Sequence, residues 1–337
     1  MKATLRVFGL LVLAIGFCLS VAWYFLEQEI ETSLNRSLDI RSPYMFTIDP
    51  GDNARGIGRL FEREGWVTDA RLFVLHARMT GDASRMQAGT YIADSGDTLK
   101  TLITRIVNGD TATFTIGFVE GTRFSDMLAS LAANDQLVHT LEGMTERQIL
   151  DLLEIPRDSG EGLFFPAVYR FAAQTSDRQI LMRAYQRMQQ ELEQAWAQRS
   201  ENLPLKTPYE ALILASIIEK ETGAAEERRE IAGVFARRLV KGMKLQTDPT
   251  VIYGLGAAFD GNLTRAHLRA DTPYNTYTRF GLPPGPIALP GRAALLAAVN
   301  PAPGDALYFV SRGDGHHYFS KTLSEHNRAV RKYQLKR

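Results

Sequence analysis

An α+β fold is predicted, carried behind one membrane-spanning helix and divided into a small and a large domain. Three observations predict it. Val7–Leu26 is free of charge. Short β-branched and aromatic runs alternate with amphipathic helices that open on Gly-Asp or Gly-Thr. Ala211–Ile218 is apolar on nearly every side, the pattern of a helix inside a core.

The 337 residues suffice for one large core or two moderate ones. A formal net charge of +1 gives no strong field of the kind that draws nucleic acid or acidic polymers. The one cysteine, Cys18, excludes a disulfide within the chain and any cysteine-based metal site.

The run Val7–Leu26 holds about 20 residues, enough to cross a bilayer as a helix. Lys2 and Arg6 precede it and Glu27, Glu29 and Glu31 follow, so residues 1–6 are expected in the cytoplasm and the rest across the membrane. Trp23 and Tyr24 fall at the outer interface. The run ends in large aromatics without a small-x-small cleavage site, which favours an uncleaved anchor over a signal peptide. Residues 27–43, polar and charged, read as a stalk.

Tyr44–Ile48 is a strand candidate. A pattern then recurs: Gly51-Asp52 before Ile57, Leu60 and Phe61; Gly96-Asp97 before Leu99, Leu102, Ile103 and Ile106; Glu120-Gly121-Thr122 before Phe124, Met127, Leu128 and Leu131. Each reads as a glycine turn, a cap and an amphipathic helix, the first two stopped by Gly65 and Gly109. Gly89–Ile92 and Phe114–Ile116 are further strand candidates. Arg123–Glu154 reads as helical, Glu161–Pro166 as an aromatic loop or strand, and Asp177–Arg199 as a long amphipathic helix.

Thr207–Gly223 is the stretch around which the rest is organised. Thr207 caps, Pro208 suits the first turn, Glu210 completes a capping box and Gly223 supplies a stop. Glu219 shares a stripe with Leu212 and Ala215, so its carboxyl stands at the mouth of an apolar helix. Desolvation there disfavours the charged form, and a carboxylic acid that keeps its proton near neutral pH is what protonation of a glycosidic oxygen requires. A solvated last turn, Glu219-Lys220-Glu221, is the competing reading.

Glu226–Lys241 is a further helix, acidic at its start and basic at its end as the helix dipole favours. Leu245–Gly256 and Asp271–Gly291 are rich in turn-formers, amides and tyrosines, a composition suited to binding sugars. Tyr308–Val310 and His317–Phe319 flank Gly313-Asp314-Gly315, a hairpin signal. Glu325–Leu335 closes the chain as a helix with a basic tail.

The segments LILASIIEKET, RRLVKGMKLQTDPTVIYGLG, PYNTYTRFGLPPGPIALPG and HHYFSKTLSEHN together resemble the membrane-anchored endolytic murein transglycosylases of the YceG-like family. Upstream, FTIDPGDNARGIGRLFEREGWV and MQAGTYIADSGDTLKTLITRIVNG look like that family's LysM-like region. The resemblance covers residues 44–330. It implies a LysM-like α+β subdomain over 44–110 and a YceG-like catalytic domain over 111–337.

It also implies a lyase that cuts the β-1,4 bond between N-acetylmuramic acid and N-acetylglucosamine. The muramic 6-hydroxyl attacks its own anomeric carbon and leaves a 1,6-anhydro end, terminating strand growth. By match to the EKET motif, Glu219 would be the acid/base. Gln246, Asp248, Tyr253, Asn275, Tyr277 and His317 would line the sugar cleft, although Asp248-Pro249 also suits a turn and Asn275 a backbone brace. Glu221 points away on an ideal helix, as a structural partner would. No cofactor or metal is expected, because His316, His317 and His326 lack a supporting ligand pattern. The partners implied are peptidoglycan strands and cell-wall synthesis proteins such as penicillin-binding proteins, at a bacterial inner membrane.

One departure stands out. Where the family reads an acidic and a hydroxyl residue after the Phe-Pro of the 161–166 loop, this chain has Ala167-Val168. Two other functions remain open: a peptidoglycan-binding scaffold that does not cut, and a water-using muramidase, for which Asp248 is the obvious second carboxylate.

Overall fold

The structure, a computed structural model, describes residues 2–40 and 43–335, with side chains from residue 9 onward. Met1 and the side chains of Lys2 and Arg6, on which the expected cytoplasmic end rests, lie outside the described residues. So do residues 41–42 of the expected stalk and 336–337 of the basic tail. The chain divides into two compact units, Met1–Phe114 and Thr115–Arg337.

In the first unit, α1 runs unbroken over Lys2–Asn35. Its Gly9–Asn35 portion is long and apolar enough to cross a membrane. The expected stalk is corrected: the helix continues through Glu27 to Asn35, and Ile30, Leu34, Leu38 and Ile40 are buried in this unit's core. Leu26, Ile30 and Leu34 recur every four residues on the helix, so one face turns inward while Glu27, Glu29 and Glu31 stay exposed; Leu38 and Ile40 follow beyond its end.

β1 (Tyr44–Ile48), α2 (Ala54–Arg63), α3 (Ala70–Met79), β2 (Gly89–Ala93) and α4 (Leu99–Asn108) follow. β1 and β2 pair antiparallel with Phe46 opposite Tyr91. Phe46, Phe61, Phe73 and Tyr91 form the aromatic centre, Phe46 lying 5.8 Å from both Phe61 and Tyr91. The recurring turns work one residue later than the pattern suggested. Asn53 and Thr98 cap α2 and α4, while Asp52 and Asp97 close the preceding turns on the amides of Asp49 and Asp94. Asp97 also holds Arg105 at 2.6 Å. Gly109, at φ 73°, ends α4 in the left-handed conformation that a β-carbon disfavours.

The second unit begins within β3 (Thr113–Gly117). The helix expected over 123–154 is two: α5 (Phe124–Ala132) and α6 (Glu146–Leu152). Asp177 fastens the segment between them by accepting the amides of Thr140 and Leu141 at 3.0 and 3.1 Å, bonds a continuous helix would not leave free. β4 (Val168–Ala172) pairs with β3.

α7 (Asp177–Ala197), α8 (Pro208–Glu221), α9 (Arg228–Val240), α10 (Asp248–Leu255), α11 (Arg265–Arg269) and α12 (Arg292–Val299) build the core. The hairpin β5 (Tyr308–Ser311) and β6 (His317–Ser320) and α13 (Leu323–Tyr333) close it. The composition read as loop over 245–256 is partly α10, because Asp248-Pro249 starts a helix rather than a turn.

α8 lies at the centre, against α7, α9, α10 and α12, with every residue from Ala211 to Ile218 buried. The alanines of α8 and α12 let these two helices approach closely. Thr207 caps α8 through the Glu210 amide, but the Glu210 carboxylate accepts from Lys206 rather than from Thr207. Thr222, in extended conformation, ends the helix ahead of Gly223.

Candidate active site

Glu219 stands in the last turn of α8, where the helix leaves the core. Its side chain is 6% exposed. Oε2 accepts the Gly291 amide, at the entrance of α12, at 2.9 Å, and Oε1 lies 3.7 Å from Arg228 Nη2 at the start of α9. Burial raises this carboxyl above the usual range. The Gly291 amide works against the rise, the Glu120 charge adds to it, and Arg228 and Lys220 oppose it.

The loop 119–122 forms the facing wall. Gly121 donates to Leu289 O and Leu289 to Thr122 O, both at 2.8 Å, a two-bond clamp joining residues far apart in sequence. Lys220 Nζ donates to Gly121 O at 3.0 Å. Gly121 sits at φ 78° with Glu219 Cγ 3.7 Å from where its β-carbon would be. At Gly291 the Glu120 carboxyl occupies the space beside the backbone: a β-carbon there would lie 1.9 Å from Glu120 Oε1, so any side chain would displace that carboxyl.

Arg123 continues this wall, its guanidinium 5.2 Å from the centre of the Tyr253 ring. Tyr253 packs on Tyr274 with centroids 4.8 Å apart. Beneath them Glu161 is buried and accepts the Phe124 amide at 3.0 Å. Burial pushes its carboxyl up to about 7, against the Phe124 amide, Arg123 and a hydrogen bond with Tyr253. Tyr253 therefore belongs to the same wall as Glu120.

The other residues nominated from the sequence divide. The Tyr277 hydroxyl donates to Asp248 Oδ1 at 2.5 Å, so these two act as a pair. Gln246 adopts φ 50°, and its Oε1 is 3.5 Å from Arg238 Nη1. Asn275 is 1% exposed, and its Nδ2 faces three carbonyls, those of His267, Leu268 and Ala270. Its Oδ1 accepts the Tyr277 amide at 2.8 Å, so Asn275 braces the loop that presents Tyr277. His317 is held by Glu227, through its amide at 2.8 Å and Nδ1 at 2.7 Å. Burial acts upward on Glu227, but these bonds and the charges of His317 and His316 outweigh it and hold the carboxyl low. Glu227 immediately precedes Arg228, which ties His317 to the Glu219 surroundings through one peptide unit.

Six residues of this arrangement were not singled out for it from sequence: Glu120, Arg123, Glu161, Arg228, Tyr274 and Gly291. Glu120 and Arg123 read as parts of a helix start, and Arg228 as one charge among several. Val168 is exposed at the start of β4, and Ala167 O accepts the Phe118 amide at 3.0 Å, so the departure from the family motif lies on the strand pair leading into the 119–122 loop. Among the described residues, no group of three or more His, Cys, Asp or Glu is gathered as a metal site. A cavity of about 670 Å³ between α9 and residues 301–304 does not include Glu219.

The YceG-like family model matches residues 46–332. A Bacillus subtilis protein named endolytic murein transglycosylase is 30% identical over 312 residues, covering 88% of this chain and 86% of that protein. A Streptococcus pneumoniae protein of the same name is 30% identical over 349 residues; the match takes in 93% of this chain and 62% of the pneumococcal one. A crystal structure of a putative YceG-like protein from Listeria monocytogenes superimposes with a TM-score of 0.50 at 27% identity, covering 86% of this chain and 99% of that one.

Proposed function

The chain belongs to the YceG-like family, and from that premise we propose that it is a peptidoglycan lyase, an endolytic transglycosylase with Glu219 as its acid/base. The observation that carries this reading is the Glu219 carboxyl: desolvated at the end of a buried helix, raised in pKa, and oriented by the Gly291 amide. Such a group can give a proton to the oxygen that bridges two sugars. The bond from the muramic anomeric carbon to that oxygen breaks, and the leaving sugar departs as an alcohol. Glu219, now a carboxylate, takes the proton of the muramic 6-hydroxyl as its oxygen closes on the anomeric carbon. The proton count balances without water, and one carboxyl serves both steps.

The wall of Tyr253, Tyr274 and Arg123 and the Asp248–Tyr277 pair supply planar faces and hydrogen-bonding groups for sugar rings. In the first unit the order β1-α2-α3-β2, with antiparallel strands, supports a LysM-like module that grips glycan. α1 supports anchorage in a bacterial inner membrane with both units outside the cytoplasm, where growing strands are cut and their elongation ends.

A second reading has one observation in its favour. Glu120 places a second carboxylate near Glu219, which a water-using muramidase would need as a base. Mass spectrometry of glycan fragments separates the two, using the full chain in detergent with uncrosslinked strands, wild type beside Glu219→Gln. Anhydro-muramic ends from wild type alone are expected. Hydrated reducing ends would replace this reading with the muramidase, and no cleavage by either protein would replace it with a scaffold.

A further inference from the structure

Glu120 has no task in the lyase chemistry above, yet the fold makes room for it at the centre of the site. It stands exposed on the 119–122 loop, and its Oε1 fills the space that a side chain at position 291 would take. The amide of that same Gly291 donates to Glu219 Oε2 at 2.9 Å. Standard backbone dimensions then bring the two carboxyl oxygens within about 7 Å of each other.

The remaining polar groups at Glu219 are donors or cations. Arg228 on α9 lies 3.7 Å from Oε1. Lys220 on α8 is the next residue, its ammonium fastened to Gly121 O. With the Gly291 amide at α12, three elements press Glu219 toward its ionised form, in which it has no proton to give. Burial opposes them, and so does the Glu120 carboxylate from the fourth side.

We propose that Glu120 is a positioning residue: a second carboxylate, seated against Gly291, that counterbalances Arg228 and Lys220 at Glu219. The proposal rests on Glu219 being the acid/base, and it gives the second carboxylate a role in which Glu120 never takes a proton from water. The same arrangement makes position 291 a handle on Glu120. A methyl group there would push the Glu120 carboxyl away while leaving the amide on Glu219.

The test is the pH dependence of strand cleavage by the full chain in detergent, for wild type, Glu120→Gln, Glu120→Asp and Gly291→Ala. Removing the charge lets Glu219 lose its proton sooner. In Glu120→Gln the alkaline limb is expected to move to lower pH by roughly one unit. Activity well above the limb then falls about tenfold, while the acid plateau stays within about twofold of wild type. Gly291→Ala moves the limb the same way, and Glu120→Asp, which keeps the charge, leaves it near the wild-type position. A uniform drop with an unmoved limb would overturn the proposal in favour of a purely structural role. Loss of activity at every pH, with hydrated ends in the wild type, would overturn it in favour of a base.

A carbon-13 titration of the Glu219 carboxyl in wild type and Glu120→Gln separates this proposal from the reading it rests on. If the midpoint falls but Glu219→Gln still cuts, Glu219 is not the acid/base and Glu120 positions no catalytic group. If Glu219→Gln is inactive and the midpoint does not fall, the acid/base assignment stands and Glu120 is not its counterweight.

Discussion

The Glu221 carboxyl accepts the Thr247 hydroxyl, two residues beyond Glu219 on the same helix and on its opposite side. Two carboxyls one step apart thus face different work. Glu219 looks toward the 119–122 loop, and Glu221 faces the loop that leads into α10. Burial pushes Glu221 up to about 7, against the Thr247 hydrogen bond and with Asp248 adding to the rise.

Glu221 and Glu161, both raised to about 7, predict how stability depends on pH. A carboxyl with a raised folded-state pKa binds more protons folded than unfolded, so stability falls as pH climbs from 4.5 through 7. The loss is about 3 kcal/mol for each group, complete above the folded-state value. Urea unfolding at pH 5 and pH 8 should show it, and Glu221→Gln should remove about half. An equal slope in wild type and variant would contradict the assignment.

Glu219→Gln is expected to lower cleavage by 10²-fold or more, on the order of a lost general acid. Gln retains the oxygen that accepts the Gly291 amide, so the thermal midpoint should stay close to wild type. Cleavage at the wild-type rate would move the role to another group.

Asn275→Ala should destabilise the second unit by about 2 kcal/mol, since three carbonyls lose their shared donor in a buried position. Asn275→Asp should cost more, because a carboxylate would face those carbonyls. Calorimetry of both variants orders the costs, and an Asp variant as stable as wild type would show that the amide is not the brace.

Removal of residues 1–22 should release the protein from membranes and leave the first unit folded, as Ile30 and Leu34 remain. Removal of residues 1–35 should destabilise that unit by several kcal/mol, the scale of deleting two buried aliphatic side chains. Proteolysis of the two truncations reads the difference. Equal resistance would mean that the end of α1 is dispensable to the core.

Legibility in the sequence followed the range of the forces. α8 declared itself through a capping threonine, a proline in its first turn and an unbroken apolar run, all local. The pairing of β1 with β2 was half visible, since each strand carried its pattern but nothing in one names the other. The break between α5 and α6 was hidden because Asp177, which takes the interrupted amides, lies 37 and 36 residues away. Of the candidate site, the sequence displays one carboxyl on an apolar stripe. The site's other wall was not legible: Gly291 reaches Glu219 across 72 residues, and spacing carries no information over that distance. The stalk was misread for a different reason. The charges of Glu27, Glu29 and Glu31 mask a four-residue apolar period, Leu26, Ile30 and Leu34, that the same residues carry.

The unbroken α1 has a mechanical consequence. With residues 7–26 in a bilayer, the first unit is joined to the membrane by a stiff post rather than a leash. From Leu26 to Asn35 the helix climbs only about 13 Å at its regular rise, and part of that climb already lies inside the folded unit. A leash would let the first unit sweep a hemisphere. A post would confine it to a thin layer over the lipid, riding in two dimensions with its anchor.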